Sequence, residues 1–100
     1  EHPWMLSTRL EASRLAWVSG TAPEAGSTLT AKVRYRQQDQ VVNIEKIDAD
    51  RMNLKFQHAQ RAVTPGQSVV LYDGDICLGG GIIDSMNTPP MSKQPRMEVA

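Results

Sequence analysis

The stretch from Val63 to Ile83 constrains the rest of the chain more than any other, because it sets two turn signals around two strand signals. Pro65-Gly66 suits the two central positions of a type II turn, in which proline presets φ near −65° and glycine accepts the positive φ that follows. Gln67 to Tyr72 is rich in β-branched and aromatic residues, and Asp73-Gly74 is a preferred central dipeptide of a type I′ hairpin turn. Ile76 to Ile83 then returns, so the segment predicts a β-hairpin whose second strand is interrupted by Gly79, Gly80 and Gly81. Cys77 is the sole cysteine; it forms no internal disulfide, and within a strand pattern it is expected to be buried.

The remaining chain repeats the same signals. Leu10 to Val18 is a short apolar run closed by Gly20 and reads as a strand, and residues 19–27, with two glycines and a proline, read as an exposed loop. Thr28 to Arg36 alternates cleanly, with Leu29, Ala31, Val33 and Tyr35 on one face and Thr30, Lys32, Arg34 and Arg36 on the other. Val41 to Ile47 is a further strand, Asp48 to Arg51 a turn, and Met52, Leu54 and Phe56 alternate with polar residues as the returning strand. His58 to Ala62 reads as a connection. About six short strands, turn signals every 8 to 12 residues or so and no helical period indicate an all-β chain: a small six-stranded, mainly antiparallel β-barrel. Closure leaves no long unpaired edge, and interrupting glycines are what a strongly bent strand needs. The expected division is a linker over 1–9, the barrel over 10–86 and a proline-containing flexible tail over 87–100.

A chain of 100 residues holds one domain, with a core that buries roughly two thirds of its unfolded surface. Its opening, Glu1-His2-Pro3-Trp4, reads as the interior of a longer protein. There is no run of 18 apolar residues and no basic-then-apolar leader, so a soluble cytoplasmic setting without membrane contact is expected. A formal net charge of zero argues against a polybasic nucleic-acid binder, yet Lys32, Arg34 and Arg36 cluster and allow a local basic stripe.

Most chemical motifs fail on spacing. The glycine triplet lacks the Lys-Ser/Thr and the following helix of a phosphate loop, and reads as a bulge or a close backbone approach. His2, His58 and Cys77 have no metal-ligand or nucleophile spacing, and Asp48/Asp50 and Asp73/Asp75 flank turns, where aspartate caps backbone N–H groups. No catalytic or metal-ligating set is expected. The exception is Lys32 to Gln38. Cations at alternate positions of one strand face stand about 6 to 7 Å apart, near the phosphate spacing of a nucleic-acid strand, and Gln37 and Gln38 add neutral donors. Against this stands an ordinary solvated barrel face, charged to suppress edge aggregation.

These residues together resemble the C-terminal domain of the bacterial tRNA-specific 2-thiouridylase family. The resemblance is carried by His2-Pro3, Trp17-Val18, the Arg34-Tyr35-Arg36-Gln37 strand, the turn at Asp48 to Arg51, Phe56, Ala62 to Ser68, Tyr72, Gly74 and Cys77 to Ile83, and it runs without a gap from residue 28 to 83. It implies a six-stranded barrel at the end of an ATP-dependent sulfurtransferase that thiolates the wobble uridine of tRNA. It further implies that ATP and a sulfur-carrier protein are met by an absent catalytic domain, and that this chain carries no cofactor and no catalytic residue. The family's tRNA contacts carry over to Arg34, Tyr35 and Gln67, with Lys32 and Arg36 as weaker candidates; tRNA and the upstream domains of the same enzyme are the expected partners. Ala59 and Val41 stand where the family usually has proline, and the tail beyond Ile83 looks longer. The alternative is a structural or protein-interaction barrel that buttresses the other domains without touching RNA.

Overall fold

A computed structural model describes residues 6–33, 39–61 and 65–87. Six strands, β1 (Leu6–Trp17), β2 (Thr28–Lys32), β3 (Gln40–Ile47), β4 (Arg51–Arg61), β5 (Ser68–Asp73) and β6 (Ile76–Asn87), close into a barrel in the order β1-β4-β3-β2-β5-β6. Every neighbouring pair is antiparallel. The expected all-β, six-stranded antiparallel barrel is therefore what forms, and closure leaves every strand flanked on both sides.

The period-two pattern fills the interior. Leu29 and Ala31 of β2, Val42 and Ile44 of β3, Met52, Leu54 and Phe56 of β4, and Val69 and Leu71 of β5 are all buried, joined by Leu10, Ala12 and Ile83. Burying these side chains removes apolar area from water, the dominant favourable term in folding. Val33, Leu15, Trp17, Leu78 and Met86 pack against this core from its margins.

Three strand boundaries differ from the sequence expectation, for one reason. β1 starts at Leu6, inside the expected linker; β4 continues through residues 58–61, expected as a connection; and β6 runs to Asn87. These extensions lack apolar alternation and are held by one another: Leu6 and Ser7 pair with Arg61 and Gln60, and Arg9, Leu10 and Glu11 pair with Asn87, Met86 and Ser85. Backbone hydrogen bonding extends the ladder where side-chain pattern is silent. β2 ends at Lys32, short of the expected Arg36; residues 34–38 lie outside the described residues, as does the tail from residue 88.

The hairpin between β5 and β6 also differs in its turn. Asp73 pairs with Ile76, so the central residues are Gly74-Asp75 and not Asp73-Gly74. Gly74 has φ 62° and Asp75 is not in the positive region, which is the signature of a type II′ turn, with glycine first, and not of type I′. The Pro65-Gly66 turn matches expectation, with Gly66 at φ 99°.

The glycine triplet has the predicted structural role. A Cβ at Gly80 would collide with the Val69 carbonyl of β5, and one at Gly79 or Gly81 with the Ala16 or Ser13 carbonyl of β1. The β5–β6 register slips at Leu71/Tyr72, with Gly79 at φ 125°, and the β1–β6 register slips between Ser13 and Ala16, where Arg14 sits at φ 54°. Bulges on two strands thus press backbone against backbone and bend the barrel wall, which only residues without a side chain permit.

Candidate functional site

An antiparallel six-stranded barrel sorts its connections into two ends. The β1–β2, β3–β4 and β5–β6 loops lie at one end; the β2–β3 and β4–β5 connections lie at the other, with the start of β1 and the end of β6. The first end is acidic. Glu24, Asp48, Asp50, Asp73 and Asp75 are all there, and all are exposed. The zero net charge therefore conceals a polarised molecule, because these carboxylates are gathered away from the connections that hold the predicted binding residues.

The second end brings together two of the sequence candidates. Lys32, the last residue of β2, pairs with Val70, three residues after Gln67, so the exit of β2 and the entry of β5 are side by side. Gln67 is exposed and its backbone is fixed from β6: Gly66 N–H donates to the Ile83 carbonyl at 2.8 Å, and Ile83 N–H donates to the Gln67 carbonyl at 2.7 Å. The turn thus holds a carboxamide at the barrel rim on a rigid base, the presentation a positioned hydrogen-bond contact needs. Lys32 is partly exposed and lies 3.9 Å from Asp39 across the β2–β3 connection, a loose ion pair in solvent. Arg34, Tyr35 and Arg36 fall outside the described residues.

Two residues at this end were not singled out from sequence. Gln60, at the end of β4, donates from Nε2 to Gln40 Oε1 at 3.0 Å and to the His58 carbonyl at 2.8 Å. Gln40 and Gln60 therefore extend the amide-rich rim beyond Gln67 and tie the entry of β3 to the exit of β4. Glutamines in strand registers without apolar alternation were the available signal.

The nucleophile and metal readings gain no geometry. His58 lies near the second end on β4, Cys77 near the acidic end on β6, and β1 separates the two strands. No group of three or more His, Cys, Asp or Glu among the described residues is arranged to hold a metal ion. Cys77 is exposed, contrary to the expectation of burial: the bulge before Gly79 turns Leu78 onto the core and leaves Cys77, opposite Tyr72, on the outer face. Asp48 has a capping role. Its Oδ1 accepts from the N–H groups of Asp50 at 2.8 Å and Arg51 at 2.9 Å, and these bonds hold its carboxyl below the usual carboxylate range.

The chain matches the aminomethyltransferase β-barrel domain over residues 7–83, which is the barrel itself. It is 58% identical over 83 residues to the tRNA-specific 2-thiouridylase MnmA of Cupriavidus necator, covering 83% of this chain and 23% of that protein. The corresponding protein of Polynucleobacter asymbioticus is 59% identical over 86 residues, covering 85% and 23%. That of Acidovorax sp. is 54% identical over 87 residues, covering 87% and 23%. The resemblance to the barrel domain of the 2-thiouridylases is thus borne out, and the chain spans about a quarter of the length of the curated relatives it matches.

Proposed function

The chain belongs to the aminomethyltransferase β-barrel domain family, and from that premise we propose that it is the tRNA-docking module of a longer, cytoplasmic tRNA-specific 2-thiouridylase. The observation that carries the docking role is the β2–β5 pairing of Lys32 with Val70, which brings the exit of β2 beside the Pro65-Gly66-Gln67 turn at the end of the barrel opposite its acidic loops. A polyanion is attracted to the end that lacks those carboxylates and is repelled by the other. Gln67 offers an uncharged donor and acceptor to sugar, phosphate or a base edge. Arg34, which follows Lys32 and Val33 in the chain, supplies a phosphate contact, Tyr35 a hydroxyl, and Arg36 and Lys32 supporting charge. The barrel positions tRNA; sulfur transfer, ATP and the sulfur-carrier protein belong to other parts of the longer protein.

The test is tRNA binding and thiolation by the longer protein carrying Arg34→Ala, Gln67→Ala or both. Loss of the arginine should weaken binding and reduce the salt slope by about one. The glutamine change should weaken binding without altering that slope. Wild-type affinity and thiolation in the double variant would overturn the assignment.

A further inference from the structure

A second surface lies on the side of the barrel, running from Cys77 down to Ser68 beside the Gln67 turn. Along β6 the absence of side chains at Gly79, Gly80 and Gly81 leaves an open groove of about 470 Å³ between β1 and β5. Its walls are mainly apolar, from Ala16, Val18 and Val70, with Cys77 at its upper part and Arg14 on its β1 side. Val18, on the groove wall, is 77% exposed. In a barrel whose other large aliphatic side chains are mostly covered, this is a contiguous apolar face without a cover.

Arg14 marks the chemistry of what covers it. It occupies the one non-glycine position of positive φ among the described residues, at the β1 bulge, and its guanidinium has no hydrogen bond or ion pair among them. The bulge thus leaves an exposed arginine at the edge of the apolar groove, a cation that an occupant can pair with. The surrounding charges disfavour RNA there: Asp84 accepts a hydrogen bond from Ser13 Oγ at 2.9 Å, one residue before Arg14 on β1, and Asp73 and Asp75 stand at the β5–β6 turn. An apolar floor with a single cation suits a protein surface bearing aliphatic side chains and one carboxylate.

We propose that this glycine-floored groove is the surface on which the remainder of the longer polypeptide packs, placing apolar side chains over Gly79–Gly81 and an acidic side chain on Arg14. The occupant follows from length: the chain spans 23% of its relatives, so most of the polypeptide lies outside it, tethered to it at fixed and high effective concentration. The proposal rests on the chain being part of a longer enzyme, and although the groove's lower lining, Ser68 and Val70, adjoins the Gln67 turn, it does not depend on tRNA docking there.

Cys77 is the built-in reporter. Its alkylation by N-ethylmaleimide, read on the Cys77 peptide by mass spectrometry, should be at least about tenfold slower in the longer protein than in the 100-residue chain, since thiol reactivity follows exposure. Val18→Asp in the longer protein should restore the fast rate, and Arg14→Glu should restore part of it; unchanged thermal melting of the same variants in the 100-residue chain shows that the barrel is intact. Equal rates in the two proteins would overturn the proposal. Protection that appears only on adding tRNA would assign the groove to RNA, and protection of the 100-residue chain that grows with its concentration would assign it to a second copy; either result overturns it. The Arg34→Ala, Gln67→Ala variant should keep Cys77 protected, which separates a failure of this proposal from a failure of tRNA docking.

Discussion

Lys32 and Val70 face one another across the β2–β5 ladder, so the exit of β2 stands beside the Pro65-Gly66-Gln67 turn. Asp39 lies 3.9 Å from the Lys32 ammonium and dilutes the positive charge of the rim. Asp39→Asn should therefore strengthen tRNA binding by the longer protein, by roughly two- to fivefold at low salt, and steepen the salt slope by up to about one as Lys32 becomes free to meet a phosphate. A fluorescence titration across salt concentrations measures both quantities. Weaker binding by Asp39→Asn would place the RNA elsewhere.

Gly66 governs how Gln67 is presented. It sits at φ 99° with open space where a Cβ would stand, so Gly66→Ala meets no neighbour and pays only in backbone strain. Forcing an L-residue towards left-handed backbone is expected to lower stability by about 1–2 kcal/mol. For a domain of this size each kcal/mol is about 4–8 °C in melting temperature. Because Gly66 N–H and the Gln67 carbonyl both bond Ile83, the same change should loosen Gln67 and weaken tRNA binding beyond what the melting shift explains at working temperature.

Gly80 and Gly74 make the opposite comparison within one hairpin. At Gly80 the obstacle is the Val69 carbonyl, a backbone atom in a paired strand that has nowhere to go, so Gly80→Ala should cost at least about 3 kcal/mol or prevent folding. Gly74 has φ 62° and no atom within 4 Å of the added position, and asparagine tolerates that region, so Gly74→Asn should shift stability by less than about 1 kcal/mol. Urea unfolding of the two variants distinguishes a packing role for the triplet from a purely conformational one.

The barrel was legible in the sequence wherever alternation reported burial, as at Leu29 and Ala31 or at Met52, Leu54 and Phe56. It was not legible where strands are held by pairing alone. Ser7 and Gln60 carry no apolar signal, and each is in a strand because the other is opposite it. Asp73-Gly74 looked like a turn centre, but the register that matches Asp73 with Ile76 moves the centre on by one residue. Cys77 followed a local rule for strand cysteines and lost to a bulge one residue later. At the candidate site, Gln67 was found through resemblance, and its proximity to β2 required the closed strand order. The apolar groove had no sequence signature, since its floor is made of residues chosen for what they lack.

Asp48 and Glu45 give the barrel a defined acid response. Asp48 caps the β3–β4 turn by accepting two backbone N–H bonds, and Glu45, at the β3 bulge, accepts from Arg9 Nε at 3.0 Å and Nη2 at 3.3 Å across β4; hydrogen bonding holds both carboxyls below their ordinary values. A carboxyl whose folded pKa is depressed contributes stability that is fully present above its unfolded value, about 4, and is lost as pH falls through the folded value. Wild-type melting temperature should thus fall on acidification below about pH 4. Glu45→Gln with Asp48→Asn lacks both charged forms, so it should melt lower than wild type at neutral pH and converge with it in acid. Parallel melting curves from pH 6 to pH 2 would show that these two carboxylates are not coupled to folding, whereas convergence would locate the acid sensitivity in the β3–β4 turn and in the Arg9 bridge that crosses it.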